Sequence, residues 1–168
     1  FEGVTSEQFE GDLSEKTAAV LLRDDMGRVC GFSTLLVYRS VATPTPVGVV
    51  CSGDTIVDLA CRNSPALART WIKAARDLVA GLACERNVWL LIVSGYRTYR
   101  FLPVFWREFV PRHDRSNSDD HALLQLLARE RFADAFDPSS GIVRLPQPQR
   151  LRASLADVPS GRQTDPHV

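Results

Sequence analysis

Long hydrophobic runs are missing from this chain. The longest fall well short of the ~20 residues that a spanning helix needs, and the N-terminus lacks the charged-then-apolar layout of a signal peptide, so a soluble protein is expected. An excess of either charge is missing as well. With 20 basic residues against 20 acidic ones, nothing favours a nucleic acid or a membrane surface as partner. Histidine is scarce, with three copies, and the four cysteines, Cys30, Cys51, Cys61 and Cys84, form no C-x-x-C pair. In their apolar surroundings they read as buried thiols of a reducing, cytoplasmic compartment, ahead of a disulfide or a metal site. No Gly-x-Ser-x-Gly frame surrounds Ser52 or Ser94, and neither Cys51 nor Cys61 has an adjacent histidine, which removes the common nucleophile motifs. An initiating methionine is missing too: the chain opens on Phe1, as a fragment or a processed product would, and an element could precede it.

What is present is organised around residues 48–95. An apolar run gives way to Arg62, Asn63, Ser64 and Pro65, then to a long amphipathic pattern, then to a second apolar run at 88–93. Ser64 suits a helix N-cap, because its hydroxyl can accept a first-turn amide. Pro65 suits the first helical position, where its missing N–H costs nothing. Leu67, Trp71, Ala74, Ala75, Leu78 and Leu82 then recur with helical period, while Arg69, Lys73, Arg76 and Asp77 lie on the other side. The free amides of that first turn, the helix dipole and Arg62 would favour a phosphate group, although most capped helices bind nothing there.

The remainder follows in order. Residues 6–16 predict a short helix with Phe9 and Leu13 on one face, and 17–23 and 28–39 predict a hairpin turning at Gly27, where a positive φ is expected. Pro44 and Pro46 end that ladder. A third strand is expected over 47–51, broken at Ser52, Gly53 and Asp54 and resumed over 55–60; a glycine there suggests a bulge or a close approach. The run at 88–93 predicts an interior strand, covered on both faces. A short aromatic helix over 104–110, stopped by Pro111, is followed by another helix starting at Ser118 and by a final strand over 142–145. The fold class is therefore α/β (α+β), with a mixed, mostly antiparallel sheet and helices on both faces. One domain is expected over residues 1–145, with an extended or partly disordered tail over 146–168, where prolines are frequent and large apolar residues few.

This order of elements, with the bulged third strand and the Arg62 to Ala68 turn before the long helix, resembles the GNAT superfamily of N-acetyltransferases over residues 6–111. The resemblance implies strands that splay into a wedge for acetyl-coenzyme A or another acyl-coenzyme A, held without a metal. It places the pantetheine along Ile56, Val57 and Leu59 and the pyrophosphate on Arg62, Asn63, Ser64, Ala66, Leu67 and Ala68, with Ser94 across the wedge. The family's turn keeps its arginine here and has Pro65 and Leu67 at its two small positions, and Trp106 stands where the family often has a tyrosine.

Acyl transfer to an amine needs a base, donors for an oxyanion and, optionally, an acid for the thiolate. Asp54 and Asp58 are the candidate bases, each also readable as a turn residue or a salt-bridge partner. Tyr96 and Tyr99 are candidate acids or substrate contacts, or simply half-buried aromatics. Arg97 and Arg100 would hold an anionic acceptor or phosphates, or form a solvated cationic edge. His113 and His121 flank acidic residues, but such a loop reads as solvated surface, not as a metal site. Two functions follow. One is an acyl-coenzyme A-dependent N-acyltransferase acting on a small-molecule or carrier-bound amine, with a homodimer as a compatible assembly. The other is a non-catalytic domain that holds a ligand or a partner chain.

Overall fold

A computed structural model describes residues 3–61, 64–115 and 117–146, with Arg97 described in its backbone only. They form two compact units, one spanning Ser6–Leu91 and the other built from residue 92 onward together with the segment before Ser6. Arg62, Asn63, the Arg97 side chain and the tail from residue 147 lie outside the described residues.

The first unit begins with helix α1 (Ser6–Ser14). Strands β1 (Ala18–Arg23) and β2 (Val29–Ser40) then make the expected hairpin. Its turn is set by Asp24, whose carboxylate accepts the amides of Met26 and Arg28 at 3.0 and 2.9 Å, and by Gly27, whose φ of 78° a side chain would disfavour. Strand β3 (Val47–Val57) runs antiparallel to β2, and helix α2 (Ala66–Ala80) carries the chain across to β4 (Arg86–Leu90), which runs parallel to β3. The sheet order β1-β2-β3-β4 makes it mixed and mostly antiparallel, as the sequence predicts.

Alternation along β2 decides the layering. Leu35 and Val37 face α2, whose Leu67, Trp71, Ala74, Ala75, Leu78 and Val79 cover Val20, Leu35 and Val50. Phe32 projects to the opposite face and meets Phe9 of α1 edge-on, ring centroids 5.8 Å apart. Helices thus lie on both faces. The stripe read from the sequence is the one buried, and fully burying a leucine or valine contributes about 1.5–3 kcal/mol.

Two expectations about the strands need correction. β3 is one continuous strand ending at Val57, with an irregularity where a break was predicted. β4 spans Arg86–Leu90 in place of 88–93, and among the described residues it is the edge of the sheet, not an interior strand. Its apolar composition reports burial, which α2 supplies through Trp89; hydropathy carries no information about how far β3 remains close enough to pair.

The second unit holds two short helices, α3 (Tyr96–Tyr99) and α4 (Phe101–Phe105), where one aromatic helix over 104–110 was predicted. Pro103 falls in the first turn of α4, where it removes no intrahelical hydrogen bond, so the helix begins before the proline and ends at the extended Trp106. Helix α5 (Ser118–Phe132) is capped by Asn117, whose side chain accepts from the amides of Asp119 and Asp120. A two-stranded ribbon of β5 (Phe136–Asp137) and β6 (Ile142–Val143) closes the described chain, shorter than the predicted 142–145.

Candidate functional site

The point that distinguishes the first unit is where β3 and β4 part. Their parallel pairing runs from Val47 opposite Arg86 to Cys51 opposite Leu90 and ends there, while β3 continues to Val57, paired with β2 as its only strand partner among the described residues. The parting coincides with a bulge. Ser33 is opposite Thr55 and Leu35 is opposite Ser52, so β3 spends one more residue than β2 at Gly53 and Asp54. An extra residue bends the bulged strand and increases its local twist, and this turns the rest of β3 away from β4.

Side chains seal the bulge from both faces. Thr34 has no Cα partner on β3, and its carbonyl oxygen accepts the indole N–H of Trp71 at 3.3 Å. Trp89 lies against Trp71, centroids 5.4 Å apart, and donates its own N–H to Ser52 Oγ at 3.3 Å. On the other face Gly53 lies so close to Thr34 that a Cβ there would collide with Thr34 Oγ1. Thr34 is buried, and its Oγ1 has no hydrogen-bond partner.

Beyond the bulge, the direction of the backbone groups follows from the register. The Asp58 amide donates to the Cys30 carbonyl at 2.8 Å, which makes that facing pair hydrogen-bonded. Antiparallel pairs alternate, so Ile56 turns its N–H and C=O toward β2, while Thr55 and Val57 turn theirs away, to the side that β4 has left. Thr55 and Ile56 are exposed, and Val57 is half-buried against the α2 core. Thr55 therefore turns its N–H and C=O to the strand edge, on the side where the pairing with β4 has ended.

The first turn of α2 adjoins this edge through Leu67, which is buried in the cluster that Val57 packs against. Ser64 behaves as a cap: its Oγ accepts from Ala66 N at 3.2 Å. Pro65 already has helical backbone angles, φ −76° and ψ −2°. The Leu67 side chain lies in the core, leaving its backbone alone available to a ligand, whereas Ser64, Ala66 and Ala68 are exposed. Small exposed side chains leave the helix N-terminus approachable by an anion. Leu59 is 78% exposed in the single turn of tight helix, Leu59–Cys61, that links edge and helix.

Of the two candidate carboxylates, Asp54 is half-buried in the bulge itself. Asp58 is exposed at the end of β3, where its amide and carbonyl are engaged with Cys30 and Cys61. The remaining candidates belong to the second unit. Tyr99 donates its hydroxyl to the Pro111 carbonyl at 2.9 Å and meets Phe109 edge-on; burial pushes its pKa up. Tyr96 and Arg100 are half-buried, and Ser94 is exposed. Among the described residues no group of three or more potential ligands is placed to hold a metal, and no helix is long and apolar enough to cross a membrane.

No family model and no curated protein matches the chain. Solved structures, acetyltransferases among them, are similar to it. An acetyltransferase of Trypanosoma brucei aligns at 16% identity and a TM-score of 0.42, covering 67% of this chain and 76% of that one. Glucosamine-6-phosphate N-acetyltransferase from Arabidopsis thaliana aligns at 14% identity and 0.42, covering 69% and 81%. A mutant of the BH1408 protein from Bacillus halodurans aligns at 15% and 0.49, covering 68% and 74%. At such values the likeness carries no argument about substrate or ligand.

Several residues at this site escaped the sequence reading. Trp71 reads as core from its period, yet its N–H holds the bulge. Thr34 carries no signal at all, since the collision with Gly53 exists only once β2 and β3 are paired. Cys30 and Cys61 both bond to the backbone of Asp58, through the Cys30 carbonyl and the Cys61 amide, which no spacing rule anticipates.

Proposed function

We propose that the chain is an N-acyltransferase that uses an acyl-coenzyme A, with the open edge of β3 as its pantetheine site. The supporting observation is that β3 outruns β4: Thr55 presents an outward amide and carbonyl on the strand that leads to a helix N-terminus. A pantetheine arm carries two amides and can add to a strand edge as a peptide does. A diphosphate can rest on the first turn of α2. The residues described there fit that group, because Ser64, Ala66 and Ala68 are exposed and Leu67 is turned into the core.

The transfer itself forms a C–N bond from an acceptor amine to the thioester carbonyl and breaks the C–S bond. The amine's proton passes to a base, and the thiolate leaves with a proton from solvent or an acid. Asp54, in the bulge where the strands part, is the carboxylate we assign to the amine proton. The acceptor class is an amine, small or carrier-bound.

The test combines calorimetry with acetyl- and longer acyl-coenzyme A thioesters, backbone hydrogen exchange, and thiol release in the presence of an amine panel. Binding should protect the amide of Thr55, and an Arg62→Glu substitution should weaken it. Failure of every thioester to bind the folded protein overturns the reading. Protection without thiol release for any amine identifies a binding domain that has the site without the chemistry.

A further inference from the structure

The other end of the sheet is β1, whose only strand partner among the described residues is β2. The register says which of its backbone groups face outward. The Leu35 carbonyl accepts the Thr17 amide at 2.9 Å, so Leu35 faces β1. Directions alternate along an antiparallel strand, and Ser33 and Gly31 therefore face β1 as well, in agreement with the Cys30 carbonyl, which is turned to β3. Val20 and Leu22 lie opposite Ser33 and Gly31 and turn their N–H and C=O to β2. Ala19 and Leu21 turn theirs to the free side. This edge also lacks the devices that keep an edge from pairing. From Thr17 to Leu22 no residue is charged and none is proline, and Ala19 and Leu21 are exposed, Leu21 by 51%.

We propose that β1 pairs antiparallel with β1 of a second copy, about a two-fold axis at Val20, so that one sheet runs through both copies. In this register Ala19 faces the partner's Leu21 and Leu21 faces the partner's Ala19, and each facing pair exchanges both of its N–H···O bonds. The exposed leucine side chain then lies beside a small one, which leaves room for it. The charges favour a second copy as the occupant. Arg23 comes opposite the partner's Thr17, and just beyond the strand Lys16 comes opposite the partner's Asp24, whose own copy also pairs it with Arg28 at 2.8 Å. The two Arg23 side chains thus stand at opposite ends of the contact, whereas a parallel arrangement in register would set them side by side and would not close. One strand pair is a small contact of the weak, transient class, with a dissociation constant between about 10 µM and 1 mM.

This inference stands independently of the acyl-transfer reading. The experiment follows the whole purified chain by analytical ultracentrifugation from about 1 µM to 1 mM, where monomer should give way to dimer and to nothing larger. Over the same series, amide exchange read by NMR should slow at Ala19 and Leu21 and stay unchanged at Val20 and Leu22, which are already bonded to β2. Leu21→Pro removes an outward donor at a place that an edge strand tolerates and should leave the chain monomeric. Leu21→Lys puts a charge on the same edge with the backbone intact, and should weaken the dimer at least tenfold even if the proline variant does not fold. Phe105→Lys, which replaces a ring of the second unit that is 66% exposed, should dimerise as the parent chain does. A chain still monomeric at about 1 mM, an open series of larger assemblies, a dimer in which Ala19 and Leu21 exchange freely, or a dimer that Phe105→Lys abolishes and Leu21→Lys leaves intact overturns the proposal.

Discussion

Trp71 and Thr34 are joined across the α2–β2 interface by an indole N–H that donates to a carbonyl oxygen at 3.3 Å. That carbonyl belongs to the residue left without a Cα partner on β3 where the bulge shifts the register. A helix side chain thus satisfies the backbone group that the irregularity releases, and the bulge can sit beneath a packed core.

Trp71→Phe keeps an aromatic ring in the core and removes the donor. Leaving the Thr34 carbonyl unsatisfied should cost about 1–3 kcal/mol. Trp89→Phe is the control, because Ser52 Oγ is a rotatable hydroxyl able to find another partner, and it should cost less. Urea denaturation of both variants checks the order, and equal losses would mean that ring volume, not the hydrogen bond, matters.

Gly53→Ala drives a methyl group into Thr34 Oγ1, with Lys16 Cε a further 3.0 Å contact that its flexible chain can relieve. The cost of such overpacking is about 1–3 kcal/mol. Combining it with Thr34→Ala opens the space, so the double-mutant cycle should show a favourable coupling of about 0.5–3 kcal/mol. Because Thr34 Oγ1 has no partner, Thr34→Val should be neutral or stabilising. A large loss from Thr34→Val would show that the hydroxyl is satisfied after all.

Asp114 carries an acid-sensitive contribution in the second unit. Arg112 donates to both its oxygens, at 2.7 and 2.6 Å, and this pairing holds its pKa down to about 2 from an ordinary 3.8. A depressed carboxylate stabilises the folded state fully above its unfolded value, and that contribution is lost as the pH falls through the folded one. Stability should therefore fall over roughly pH 5 to 2, and Asp114→Asn should be less stable at neutral pH with a shallower acid limb. Parallel curves for the two proteins would exclude this pair as a source of the acid sensitivity. Asp137, held low chiefly by Ser139 and Ser140 and then by Arg144, adds a fall of the same sign to both curves.

Much of the local conformation was legible. Gly27 adopts its positive φ, Ser64 caps the helix entered at Pro65, and the stripe from Leu67 to Leu78 is the face that packs. Gly53 marks the bulge that its place in a strand pattern suggested. Each of these signals comes from a residue's own backbone freedom, its capping chemistry or a short-range period, and such properties act over a few neighbours.

Other features depend on elements meeting. The end of β4 at Leu90 is fixed by β3 turning away at a bulge on a different strand, so the apolar run through Val93 overstates the pairing. The hydroxyl of Tyr99 is committed to Pro111, and the amide and carbonyl of Asp58 are engaged with Cys30 and Cys61 because a tight turn follows β3 where it leaves β2. The sequence by itself determined where helices begin, which faces are apolar and where the third strand is irregular, because these are local preferences of the chain. Only the tertiary structure decided that the irregularity opens an edge beside a helix N-terminus, because distance between strands is set by packing and twist, which no single segment contains.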